Sequence, residues 1–312
     1  ASRGLGDVYK RQKENPTHIG VAFDPAGPTF RHEAFEQYKA QREETPEAIR
    51  LSVPIIKDII RAYRIPILEV AGYEADDVIG TLATEAGRQG ITTYMMTPDK
   101  DYGQLVSDKV FMYRPKHTGG FEVMGVEEVK AKFDIQSPTQ VIDMLGLMGD
   151  SSDNIPGCPG VGEKTAQKLI SEFGSIENLL EHTDQLKGAL KTKVETNREM
   201  ITFSKFLATI KIDVPIQLEM DALVREEADE NSLRSIFEEL EFRTLIDRVL
   251  KKDISGNGIT SATGNKVATG KSAPSPLPLF PEEEGGMQGD LFANFTPDEP
   301  GEAKKSNLET LE

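Results

Sequence analysis

Cysteine is nearly absent from these 312 residues: Cys158 stands alone, which excludes an intrachain disulfide framework, and with only four scattered histidines it argues against a structural zinc site. A reducing cytoplasm suits such a chain. No run approaches the roughly 20 apolar residues of a membrane span, and the N-terminus has no charged stretch leading into an apolar signal core. Positive charge is also short. The 36 Lys and Arg face 52 Asp and Glu, a formal −16, so the chain cannot grip nucleic acid by overall basicity and would need local basic patches and bound cations. What the composition does supply is length for about two domains and 38% hydrophobic residues, enough for a sizeable core.

Residues 1–12, ASRGLGDVYKRQ, show no periodicity and are set aside as an unmatched or foreign leader. From residue 13 to about 135 apolar strands alternate with amphipathic helices: HIGVAFD, EAIRLSVPIIKDIIRAYR, IPILEV, EADDVIGTLATEAGRQG, ITTYMMT, the loop PDKDYGQLV and KVFMYR. That alternation predicts an α/β domain, a largely parallel sheet with helices on both faces. From 136 to 253 helices dominate: TQVIDMLGLMG, EKTAQKLISEF, IENLLEH, a long KGALKTKVETNREMITFSKFLATI and NSLRSIFEELEFRTLIDRVL. Residues 254–312 turn to Gly, Ser, Thr, Pro and acid, with nine Asp/Glu against four Lys/Arg, and are expected to be a disordered acidic linker.

Acid recurs where the strands end. VAFD reaches Asp24, ILEVAGYEADD reaches Glu74, Asp76 and Asp77, and YMMTPDKD reaches Asp99 and Asp101. The carboxyl ends of strands in an open α/β sheet form the ligand crevice, so these six, with Asp150 and Asp153, are expected to converge there. Eight crowded carboxylates need hard cations, and oxygen-only donors select Mg²⁺ or Mn²⁺. Two such ions about 4 Å apart can activate a water and stabilise a leaving oxygen in phosphodiester hydrolysis. Each cluster alone has a plainer reading: Asp76 and Asp77 suit a helix N-terminus, and Asp99, Asp101 and Asp24 suit turns.

The stretch GDSSDNIPGCPGVGEKTA sets acid beside bare backbone. Asp150 and Asp153, three apart, would share one face of a helical turn. Gly157, Gly160 and Gly162 permit a tight turn that presents N–H groups, and the helix start after it, with Val161, Lys164, Thr165 and Lys168, can hold a phosphate without reading bases. This has the form of a helix-hairpin-helix, whose plain alternative is an ordinary Gly-Pro turn between helices.

GYEADDVIG, TPDKDYGQL and GDSSDNIPGCPGVGEKTA together resemble the 5′ nuclease domain at the N-terminus of bacterial DNA polymerases I, of the flap endonuclease family, over about residues 13–250. The resemblance implies a PIN-like catalytic domain, a helix-three-turn-helix DNA-binding region, and two-metal cleavage of 5′ flaps and RNA primers. It further implies that all eight acids are metal ligands, directly or through water, and that the hairpin binds a monovalent cation such as K⁺. On the same resemblance TFRHEAFEQYKAQREETP, within about 25–46, is an arch for the single-stranded 5′ end. Arg31, Tyr38, Lys39 and Arg42 would then reach the scissile phosphate, with Tyr38 stacking on a base.

The family also has an earlier strand with a further metal-binding aspartate, which ASRGLGDVYKRQ does not match, and Asp7 lacks an apolar strand before it. The expectation is a fragment truncated at both ends, whose alternative role is DNA-structure binding with impaired cutting. QGDLF in the linker, with Gln288, Leu291 and Phe292, resembles the short peptide by which bacterial proteins dock on the sliding clamp.

Overall fold

The computed structural model describes residues 15–116 and 120–250, all within one compact unit. The leader 1–12, the acidic tail from 254, and Gln288, Leu291 and Phe292 lie outside the described residues. In chain order the elements are β1 (Val21–Ala22), α1 (Phe30–Ala34), α2 (Glu47–Ala62), β2 (Ile67–Leu68), α3 (Ala75–Arg88), β3 (Thr93–Met96), a 3-10 turn (Lys100–Leu105), β4 (Val110–Pro115), β5 (Phe121–Met124) and α4 (Val126–Phe133). There follow α5 (Gln140–Met148), α6 (Glu163–Phe173), α7 (Ile176–Glu181), a second 3-10 turn (Thr183–Gln185), α8 (Gly188–Thr196), α9 (Arg198–Ala208), α10 (Met220–Leu223), α11 (Glu230–Glu239) and α12 (Arg243–Leu250).

The strands form two ladders. β1 pairs parallel with β2, Val21 opposite Ile67 and Ala22 opposite Leu68. Alternate side chains of a strand leave on opposite faces. Val21 accordingly joins the cluster built on Ala62, Tyr63, Leu233 and Phe237, while Ala22 and Leu68 pack on Val78 and Leu82 of α3. Helices thus cover both faces of this pair. β3 pairs parallel with β4, and β4 antiparallel with β5, so two of the three pairings are parallel. Met95, Val110, Met112 and Met124 turn inward to the main core, whereas Tyr94, Met96, Phe121 and Val123 on the other face are exposed. The main core continues through α5, α6 and α9, where Met144, Leu145, Leu169, Ile170, Ile201 and Leu207 are essentially inaccessible.

Several elements differ from the sequence reading. β5 and α4 were not expected, and the PDKDYGQLV loop closes into the first 3-10 turn. The long helix expected across 187–210 breaks at Asn197, whose side-chain amide donates to the Lys193 carbonyl at 2.8 Å and closes α8. The last predicted helix breaks at Glu241, which takes φ +57 between α11 and α12. The arch segment has a single short helix, α1, followed by turns over 36–42. Among the described residues no helix is long and apolar enough to cross a membrane.

Candidate active site

Parallel strands bring their carboxyl ends to one side, and the acids arrive with them. Asp24 follows β1; Glu74 caps α3 and Asp76 and Asp77 lie in its first turn; Asp99 and Asp101 open the 3-10 turn after β3. Asp150 follows α5 and pairs with Ile155 in an antiparallel bridge, so a tight turn, not a helical one, carries Asp150 and Asp153. Asn154, in the left-handed region at φ +57, closes that turn.

Asp99, Asp101, Asp150 and Asp153 line one cavity of about 400 Å³, and Arg42, Lys100, Arg114 and Lys132 line it with them. Asp101 Oδ1 is buried without a hydrogen-bond partner. Burial, then the charges of Asp99 and Asp150, push the Asp101 carboxyl up to about 8. Asp150 is held below the usual carboxylate range: burial opposes its ionisation, but Lys100, 2.8 Å away, and the Ser152 N–H outweigh that cost. Asp76 lies at the α3 end, where burial pushes it up to about 6 despite the Tyr102 hydroxyl donating to it at 2.6 Å, with Asp99 and Glu74 adding repulsion. Asp24 accepts the Ala75 N–H at 2.8 Å at the same helix start.

Asp77 has another role. It is fully buried and accepts four hydrogen bonds: two from Arg31 at 2.8 Å, one from Glu74 N–H at 3.1 Å and one from Lys211 N–H at 2.8 Å. With its lone pairs taken, Asp77 is a structural acid here, and the expectation that it binds metal is corrected. Arg31 is corrected with it. Its five donors all go to protein acceptors: Asp77 twice, Glu74 at 3.0 Å, and the carbonyls of Leu207 at 2.9 Å and Thr209 at 2.7 Å, leaving none for a scissile phosphate.

Tyr38 is 3% exposed and its hydroxyl donates toward Glu74 and Asp153, at 3.1 and 3.0 Å, so it does not stack on a base in this arrangement. Burial, reinforced by Glu74 and Asp153, keeps that phenol protonated. Lys39 takes φ +57, with its N–H on the Asp153 carbonyl at 3.0 Å and its Nζ 2.6 Å from Glu74 Oε1. A non-glycine residue held in that region is strained, as functional residues often are. Arg42 pairs with Asp153 and donates to the Ser152 carbonyl at 3.1 Å.

The carboxylate chemistry therefore fits divalent cations: a buried oxygen lacks a partner, and burial with the repulsion of neighbouring acids raises the Asp76 and Asp101 carboxyls above the ordinary range. Lys39 and Lys100 bridge the acids, and among the described residues no three His, Cys, Asp or Glu side chains stand close enough to hold an ion as placed. Lys100, Arg114 and Lys132 were missed by sequence reasoning. Lys100 was in plain view between Asp99 and Asp101; Arg114 and Lys132 carry no motif and meet the acids only through the fold.

In the hairpin, Gly160 at φ +74 is exposed, and Gly162 is the N-cap of α6 with no side chain over the first amides; Lys164 and Lys168 are exposed and Thr165 half-buried. Two expected contacts are corrected. Gly157 donates its N–H to Ser204 Oγ at 2.9 Å, and the Val161 side chain is 3% exposed, so both shape the hairpin from within. Lys193 Nζ donates to the Gly160 carbonyl at 3.3 Å. Cys158 fills a core position, where burial pushes its thiol up.

Two family profiles match: "5′-3′ exonuclease, N-terminal resolvase-like domain" over residues 7–134, which begins inside the leader set aside above, and "5′-3′ exonuclease, C-terminal SAM fold" over residues 136–231. DNA polymerase I of Bacillus subtilis (strain 168) is 44% identical over 240 residues, and that of Bacillus caldotenax 42% over 239; each match covers 76% of this chain and 27% of the relative. The chain thus spans about a quarter of the length of these relatives. Among solved structures, T5 5′-exonuclease with bound zinc superposes with a TM-score of 0.59 at 21% identity, covering 76% of this chain and 90% of that one. The catalytic core of Rad2 in complex with DNA substrate gives 0.54 at 16%, covering 80% and 82%, and both likenesses speak for the fold. With both profiles meeting end to end across the two ladders and the hairpin, the chain belongs to the 5′-3′ exonuclease family.

Proposed function

We propose that this chain is the metal-dependent 5′ nuclease part of a DNA polymerase I, a 5′-3′ exonuclease and 5′-flap endonuclease acting in RNA primer removal and DNA repair. The observation that carries the reading is the cavity in which Asp99, Asp101, Asp150 and Asp153 meet, with one buried carboxylate oxygen unpartnered. These four, with Asp76, Asp24 and Glu74, are the residues that would hold the ions, and Mg²⁺ or Mn²⁺ suits their all-oxygen chemistry. Two such ions, when bound, lower the pKa of a water and stabilise the leaving oxygen.

The chain's own residues do the rest. Lys39 and Arg42 carry positive charge to the edge of the acids, where a phosphate develops negative charge as it is attacked. Arg31 and Asp77 hold the start of α3 against the loop after α9 and so fix Asp76. In the hairpin, the uncapped amides of α6 with Lys164 and Lys168 suit a duplex phosphate away from the chemistry, and the carbonyls there suit K⁺. Docking of Gln288, Leu291 and Phe292 on a sliding clamp belongs to the same proposal.

A second reading, DNA-structure binding without cutting, is favoured by Lys39 and Lys100 sitting among the acids as internal counter-ions. One assay separates the two: an end-labelled 5′-flap duplex incubated with Mg²⁺ and then Mn²⁺, wild type against Asp150→Ala. Cutting near the junction that vanishes in the variant, with flap binding in Ca²⁺ kept, is the expected result. Binding without cutting by the wild type would give the second reading its place.

A further inference from the structure

Two cations that line the cavity are left unused by the proposed function. Arg114, on β4, and Lys132, on α4, line it across from nothing that neutralises them fully. Arg114 Nε is buried without a hydrogen-bond partner; its ion-pair oxygen, Glu122 Oε1, is 3.5 Å away, and its Nη1 meets the Met124 sulfur at 3.7 Å. The Lys132 ammonium stands 5.5 Å from the centre of the Phe133 ring, and no ion pair within 4.0 Å holds it among the described residues. Lys100, the third cation here, is already committed to Asp150. Burial, then Arg114, with a smaller push from Lys100, lowers the Lys132 pKa, and Glu122 alone pulls it back.

Lys132 is exposed at the cavity and holds no ion pair among the described residues, so its charge is open to an incoming anion. Here four cations and four acids line one polar cavity, and Arg114 and Lys132 are the two cations that its acids do not pair, since Arg42 pairs with Asp153 and Lys100 with Asp150. An anion that can also face metal ions suits both sets of charges, and a nucleic-acid phosphate is such an anion. The guanidinium edge of arginine matches its paired oxygens, and lysine adds a point charge.

We propose that Arg114 and Lys132 are positioning residues that hold a backbone phosphate of the cut strand next to the one attacked. This rests on the nuclease reading above and adds to it two residues outside every motif. They fix where the strand crosses the acids; they do not touch the bond that breaks.

The test uses the full chain, with Arg114→Gln/Lys132→Gln as the probe variant and Arg114→Lys/Lys132→Arg as the charge-keeping control. Binding of a labelled 5′-flap duplex is measured in Ca²⁺ over a series of KCl concentrations. Each lost phosphate contact reduces the slope of log affinity against log salt by about 0.9. The expected result is a slope reduced by up to about two such steps and an affinity lower by about tenfold or more, with the melting temperature and the control's slope unchanged. A flap with one methylphosphonate beside the scissile position should bind more weakly to wild type and no more weakly to the probe variant. If the double variant unfolds, Lys132→Gln, at an exposed position, is read alone. Wild-type binding with an unchanged slope in the variant overturns this contact and leaves the nuclease reading standing. A wild type that binds no flap DNA overturns the nuclease reading, and this contact with it.

Discussion

Arg31 and Asp77 form a closed unit: a buried guanidinium with five accepting partners and a buried carboxylate with four donors. Removing one partner of such a pair leaves the other charge buried and bare, at a cost of about 3–5 kcal/mol. Asp77→Asn is therefore expected to lower the melting temperature whether or not Mg²⁺ is added. Asp101 is the opposite kind of acid. Its carboxyl resists ionisation and one oxygen has no partner, so Asp101→Asn should leave the metal-free protein at pH 8 as stable or more so. The same substitution should abolish the thermal shift that Mg²⁺ gives the wild type. Melting curves of both variants with and without Mg²⁺ check this, and a Mg²⁺ shift that Asp101→Asn keeps would remove Asp101 from the metal site. Two adjacent acids, Asp76 and Asp77, looked alike in the sequence because a motif records residue type. It does not record which oxygens the fold has already used.

At the scale of elements, the end of α11 shows what a sequence conceals. Glu241 N–H donates to the Glu238 carbonyl at 3.1 Å and Phe242 N–H to the Phe237 carbonyl at 2.8 Å, with the Phe237 and Phe242 rings 6.4 Å apart. That is a Schellman closure with its apolar contact, built on a glutamate at φ +57 where glycine is the usual residue. Without the glycine there was no stop signal, and two helices were read as one. Glu241→Gly should relieve a left-handed conformation that costs a side-chain residue about 1 kcal/mol. At about 2–4 °C per kcal/mol for a chain of this size, the melting temperature should rise by a few degrees. A fall would mean that the Glu241 side chain contributes more than its backbone costs. Of the segments with strong periodicity, α3, β3, β4 and α6 were legible because each turns apolar side chains into the core, and α2 was legible from its period although Ala62 is its one buried residue and Ile49, Leu51 and Ile55 are exposed. β5 was not. Phe121 and Val123 are exposed and Met124 buried, a pattern set by pairing with β4 and by a sheet face no helix of the described residues covers. The arch segment was illegible for a related reason: it is held by long-range contacts, Lys39 N–H and Arg42 to the 152–153 backbone, which no local pattern announces.

For the whole molecule, the −16 charge and the buried acids make one statement about pH. Asp101 takes up its proton near pH 8 and Asp76 near pH 6 in the folded chain, against an ordinary 3.8 for both. Between those ordinary and raised values the folded state binds more protons than the unfolded state, so stability falls as pH rises. The slope is at most about 1.4 kcal/mol per pH unit for each group inside its window. Metal-free protein should therefore lose stability steadily from about pH 4 through 8, with the steepest share below pH 6, where both groups contribute. The Asp150–Lys100 pair works the other way but lower on the scale. Its depressed carboxyl gives stability that is complete above the ordinary range and lost only on strong acidification. Bound Mg²⁺ replaces protons as the neutralising charge, so saturating Mg²⁺ should flatten the decline between pH 6 and 8 and raise the melting temperature most at the alkaline end. Melting curves across pH with and without Mg²⁺ read both effects. A decline that Mg²⁺ does not flatten would mean the protons sit on acids that never meet the metal, and the cavity would lose its claim to be the metal centre.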